Sequence, residues 1–164
     1  MEIRTAARTY KSHEKSVLRG DDMTAKEYLR QCRTLKTQME NKKRIYDNIR
    51  NSIVYLKGVS YDMEKIQTSP SDALSDTMAR LVDAEKEAME AIWQYEQFFN
   101  DCVDKINNLS KAEYVEILTR RYLHDDYSSR QLLHIALDMD YSYERVKHMH
   151  GEALQEFYNR YLKG

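Results

Sequence analysis

A chain of 164 residues with a formal net charge of −1 has no global field to draw it onto nucleic acid or membrane, so any such contact must come from a local face. One Pro, four Gly and 32% charged residues suit long helices and exclude a turn-rich β architecture. Cys32 and Cys102 are too few and too far apart for a disulfide framework or a zinc site, and no stretch has the ~20 apolar residues of a membrane span. With no signal-peptide pattern visible, a cytoplasmic protein without membrane contact is expected.

In chain order, residues 1–22 mix Arg4, Arg8, Lys11, Lys15 and Arg19 with few apolar residues and no periodicity, which predicts a flexible N-terminal arm. Thr24 with Glu27 has capping-box spacing and opens a helix. Its apolar seam is Tyr28, Cys32, Leu35, Met39, Lys42, Tyr46, Ile49, Ile53 and Leu56, stepping by four and three, with Gly58 placed to stop it. Residues 59–71 connect to a second helix, for which Asp72 is the expected cap. Its seam is Leu74, Met78, Leu81, Glu85, Ala88, Ile92, Tyr95, Phe99, Cys102, Ile106 and Leu109.

Each seam carries one charge, and an antiparallel fold-back predicts that Lys42 and Glu85 pair inside it. The outer faces are complementary. Glu27, Glu40 and Asp47 are the only acids between Thr24 and Lys57, and Arg80, Lys86 and Lys105 are the only bases between Asp72 and Leu109. A basic helix beside an acidic one favours an intramolecular hairpin over residues 23–109, with a homodimer through the same helices as the competing arrangement.

The third part, residues 110–164, opens with Ser110 and Glu113 at capping-box spacing and a helix through Tyr114, Val115, Leu118, Tyr122 and Leu123. Ser128 and Gln131 repeat the spacing ahead of the apolar pair Ile135 and Ala136. After a break at Asp138-Met139-Asp140, Ser142 offers an N-cap for a helix with Val146, Met149, Ala153 and Phe157 on one face. Two short helices with a tight turn between them form the pattern of a helix-turn-helix. Gly151 inside the last helix points to close packing.

No catalytic constellation emerges: there is no Gly-rich phosphate loop, no nucleophile elbow and no zincin pattern. His148 and His150 stand two apart on a helix and point to different sides, so they cannot share a metal. Neither enzyme activity, cofactor nor metal is expected. Ser142, Tyr143, Glu144, Arg145, Lys147 and His148 lie where a recognition helix meets double-stranded DNA, with Tyr143, Glu144, Arg145, Lys147 and His148 for the bases. Arg120, Arg121 and Arg130, with Ser142, are candidates for phosphates. Against this, acids outnumber bases by one between Ser110 and Gly164, a weak footprint for an autonomous DNA binder. A protein-interaction module is the rival from another class.

The segment RRYLHDDYSSRQLLHIALDMDYSYERVKHMHGEALQEF resembles region 4 of sigma-70-type factors. Together with MTAKEYLRQ near Met23 and IQTSPSDALSDTMARLVDAE, it resembles a family of small phage and prophage proteins of Gram-positive bacteria, near late-gene transcription regulators of the ArpU and RinA kind. Asp140 stands at the turn position where that pattern usually has Gly, and no counterpart of sigma region 2 is present. With the hairpin read from the two seams, the resemblance gives the expectation of an all-α protein, a long coiled-coil-like antiparallel hairpin followed by a sigma region-4-like helix-turn-helix. It also implies a DNA-binding regulator of phage genes with RNA polymerase as partner, in the host cytoplasm. The alternative is a sigma-domain mimic or adaptor that binds a protein instead.

Overall fold

The computed structural model describes residues 23–59, 70–126 and 130–163, with side chains for all of these except 54–59 and 70–73. The N-terminal arm, most of the connector and Ser128 lie outside the described residues. Every regular element among them is helical, as an all-α reading requires: α1 (Ala25–Val59), α2 (Pro70–Asn107), α3 (Ala112–Leu118), α4 (Leu132–Asp138) and α5 (Tyr143–Phe157). Helices α3 and α5 each continue into one π-helical turn, Thr119–Leu123 and Tyr158–Leu162.

The caps divide into those made by neighbours and those made by distant residues. Glu27 accepts from the Thr24 backbone N–H at 2.9 Å and from its hydroxyl at 2.8 Å, while Thr24 Oγ1 accepts from the Glu27 N–H at 3.3 Å. This is the reciprocal capping box the spacing predicts. The helix ends at Val59, beside Gly58. Helix α2 starts on Pro70, earlier than Asp72: proline lacks the N–H that a first-turn residue would leave unpaired, and its φ is already helical. Ser110 forms no box with Glu113. Its N–H and hydroxyl go instead to Glu156, at 2.8 and 2.6 Å, and α3 begins after Lys111 with no side-chain cap.

The chain divides into two compact units. One is formed by residues 31–102, the other by residues 23–30 with 103–163. In the first, the expected α1 seam holds: Cys32 and Ile53 are buried and Leu35, Met39, Tyr46 and Ile49 half-buried. The charged members do not enter it. Lys42 and Glu85 are both exposed, and Lys42 pairs with Glu87 across to α2. On α2 within this unit Ala84, Ala88 and Cys102 are buried, and Glu85 turns out to solvent, where its charge keeps its hydration.

In the second unit the core is wholly apolar. Leu29, Ile106, Ile117, Leu118, Ile135, Val146 and Phe157 are fully buried, and no charged or polar residue is buried among the described residues. Tyr28 lies 5.8 Å from the Phe157 ring, centroid to centroid, and accepts a hydrogen bond from Lys105 Nζ at 2.8 Å. The unit thus begins inside α1 and resumes inside α2, instead of starting at residue 110.

Candidate nucleic-acid interface

The connection from α4 to α5 is built by backbone chemistry. Asp140 has φ 55°, the only non-glycine with positive φ among the described residues. Its N–H donates to Leu137 O at 3.3 Å, and the next N–H, of Tyr141, reaches back to Ala136 O at 2.9 Å. These two bonds define a Schellman closure with Asp140 in the left-handed position, where glycine is the usual occupant and Asp is better tolerated than most residues. Ser142 follows with extended backbone, and its hydroxyl accepts the Arg145 N–H at 3.3 Å, capping α5 as its position in the sequence predicts.

Under the turn, Ile117 of α3, Ile135 and Ala136 of α4 and Val146 of α5 form one buried cluster. Leu132, Met139, Tyr141 and Met149 pack around it. The small Ala136 lets α4 and α5 approach, and β-branched Val146 locks the first turn of α5 to them. The opposite side of α5 is consequently free of core duty.

That side carries the predicted base-reading residues. Tyr143, Glu144, Arg145, Lys147 and His148 are all exposed. The Arg145 guanidinium sits 4.0 Å from the centroid of the Tyr141 ring, a cation–π contact that holds it beside the turn. Lys147 Nζ lies 4.0 Å from Glu144, and His148 Nδ1 lies 3.4 Å from Glu152. His150 points elsewhere, as the two-residue step requires: its ring stacks on Tyr122 at 5.9 Å and shares a 3.1 Å hydrogen bond with the Tyr122 hydroxyl. Burial, reinforced by Arg121 and Lys26, lowers the His150 pKa to about 4.

The three arginines expected on phosphates are engaged within the chain. Arg120 bonds Glu116 on its own helix and reaches Asp138 at the end of α4 at 2.7 Å. Arg121 donates to the Arg130 carbonyl, and Arg130 Nε donates to Asp126 O at 3.1 Å. Their part in the fold is to tie the π turn to α4 and to its preceding loop.

A second constellation, along the far side of α5, has no signature in the sequence. Tyr114 donates to Glu152 at 2.6 Å and accepts from Lys111 at 2.8 Å; Glu156 takes Ser110 and lies 3.1 Å from Arg160. The Tyr114 hydroxyl holds the Glu152 carboxyl below its usual range, and the Ser110 hydroxyl does the same for Glu156. Partners 38 and 46 residues apart leave no trace in local spacing. Ser110, Lys111, Tyr114, Glu152 and Glu156 border a shallow open groove with Lys147, His148 and Gly151. Gly151 is not tightly packed as expected: a Cβ there would meet nothing within 4 Å. Among the described residues, no three His, Cys, Asp or Glu side chains gather as a metal site would need. No described helix is long and apolar enough to cross a membrane.

No protein-family model, curated protein or solved structure matches this chain.

Proposed function

We propose that the chain is a DNA-binding transcription regulator of phage or prophage genes, which reads double-stranded DNA through a helix-turn-helix made of α4 and α5 and works with RNA polymerase. The observation that carries this reading is the Schellman turn at Asp140, which leads straight into a Ser142-capped helix with a solvent-exposed N-terminal face. A recognition helix uses that part of its surface on base edges. Arg145 and Lys147 suit guanine or phosphate, and Glu144 suits the cytosine amino group. The long α1 and α2 act as an antiparallel hairpin in this reading; the cross-contacts Lys42 to Glu87 and Lys105 to Tyr28 support it, because they occur in opposite order along the two helices.

The test is selection of bound duplexes from a random library, followed by titration of the chain against the winners. Affinity is expected to fall steeply with salt, and Arg145→Ala with Lys147→Ala to cost roughly 1–3 kcal/mol per lost base contact. Selected duplexes bound equally well by the double variant would refute the assignment.

A second reading, a protein-interaction module, has its own observation. Leu133 and Leu137, one turn apart on α4, are 52% and 65% exposed, while Arg120, Arg121 and Arg130 are spent on internal bonds. Exposed paired leucines suit a protein partner better than a phosphate backbone. Co-purification with and without nuclease separates the readings: a partner retained after nuclease, with no DNA bound, favours the module.

A further inference from the structure

Beside its seam, helix α2 carries a second apolar stripe, which begins at Met78, a position of the seam pattern that the fold leaves exposed. Met78, Val82, Met89 and Trp93 are 46%, 62%, 65% and 42% exposed. At 100° per residue they fall within about 60° of one another, and from Met78 to Trp93 they run roughly 22 Å along the helix. The buried positions Ala84, Ala88 and Cys102 lie about 110–150° from the middle of the stripe, which adjoins the half-buried seam residues Leu74 and Ile92 at Met78 and turns away from them towards Val82 and Trp93. Polar Ser75 and Glu96, both exposed, bound it at its two ends.

The stripe is interrupted once, by Glu85 and Lys86, both exposed. Consecutive residues diverge by about 100°, so Glu85 borders one edge of the stripe and Lys86 the opposite edge at nearly the same height. This arrangement is self-complementary. When a second α2 is laid alongside in parallel about a twofold axis, the left edge of one helix faces the right edge of the other. Glu85 then meets the second copy's Lys86, and Lys86 meets its Glu85, while Met78, Val82, Met89 and Trp93 each meet their own counterparts. Antiparallel pairing instead sets Glu85 on Glu85 and Lys86 on Lys86. The acidic excess of α2 would oppose any self-pairing, and the two Glu–Lys contacts at the centre of the stripe offset that repulsion where the helices are closest.

We infer that this face of α2 is a homodimer interface, two copies of the chain packing α2 against α2 in parallel and in register through Met78, Val82, Met89 and Trp93, with Glu85 and Lys86 pairing across the twofold. The inference stands on α2 alone and does not depend on DNA binding.

Sedimentation of the full chain through the micromolar range tests it, with far-UV circular dichroism to verify that each variant keeps its helices. The native chain is expected to pass from monomer to dimer, and Met89→Glu to stay monomeric with unchanged helicity. Lys86→Glu should weaken association roughly tenfold by opposing two glutamates, and Glu85→Lys with Lys86→Glu should recover most of the loss. Oxidised Val82→Cys should form a cross-linked dimer through position 82, the native Cys32 and Cys102 being buried. A native chain that stays monomeric throughout, a dimer indifferent to Met89→Glu, or a dimer in which Val82→Cys does not cross-link would overturn the proposal.

Discussion

His150 is the residue at which solution pH enters the fold. Its ring lies against Tyr122, with Arg121 and Lys26 adding positive charge, so the folded chain holds it neutral down to about 4 against an ordinary value of 6.5. The unfolded chain binds that proton first, as pH falls below 6.5. Stability is therefore fully present above 6.5 and is lost as pH falls towards 4. Allowing for solvent screening of a half-buried ring, the loss is about 2 kcal/mol. Glu27, Glu152 and Glu156 have lowered values too, but they start from 4.5 and add their loss below it. Between pH 6.5 and 4.5 the slope should belong to His150. Urea unfolding at pH 7.5 and pH 5 is expected to show it in the native chain and not in His150→Gln; an equal slope in both would assign it to another group.

At the scale of elements, what was legible in the sequence was what neighbours decide. Thr24 with Glu27, and Ser142 with the Arg145 N–H, are contacts three residues long, and both formed as spaced. Asp140 at the turn was legible for the same reason, since backbone conformation is a local preference. Ser110 was misread because its real partner, Glu156, lies 46 residues away, and a distant carboxylate outcompetes the local one. Lys42 and Glu85 were misread by a simpler physics. A heptad assigns a residue to a face, but a long charged side chain at the edge of that face can leave it, Lys42 for Glu87 and Glu85 for solvent. The predicted site splits along the same line: the exposed face of α5 followed from periodicity, whereas the engagement of Arg120 depends on where α4 ends. Arg120→Ala should cost about 1 kcal/mol of stability by releasing Asp138 from the π turn, and should leave the salt dependence of any DNA binding unchanged. A normal melt with a shallower salt slope would instead place Arg120 on phosphate.

Across the whole chain, the sequence division at residue 110 and the observed one at 30 and 102 differ because a heptad pattern says where a helix is apolar, not which core receives it. The same seam positions serve both units: Cys32 belongs to one, while Tyr28, a turn earlier, packs on Phe157 in the other. Leu29 belongs to neither seam step, yet it is fully buried in the unit that holds α3 to α5. Its burial cannot be read from a 3–4 pattern, because the unit it belongs to is completed by residues more than 70 positions later. Truncating such a side chain removes its transfer free energy and leaves a cavity that rigid neighbours fill poorly, a cost of about 3 kcal/mol. The consequence is specific to this division. If residues 23–30 are part of the C-terminal unit's core, Leu29→Ala should lower hydrogen-exchange protection in α5, around Val146 and Ala153, while amides near Ala84 and Ala88 keep theirs. If the sequence boundary were the physical one, the loss would appear in the middle of α1 and α2 and leave α5 untouched.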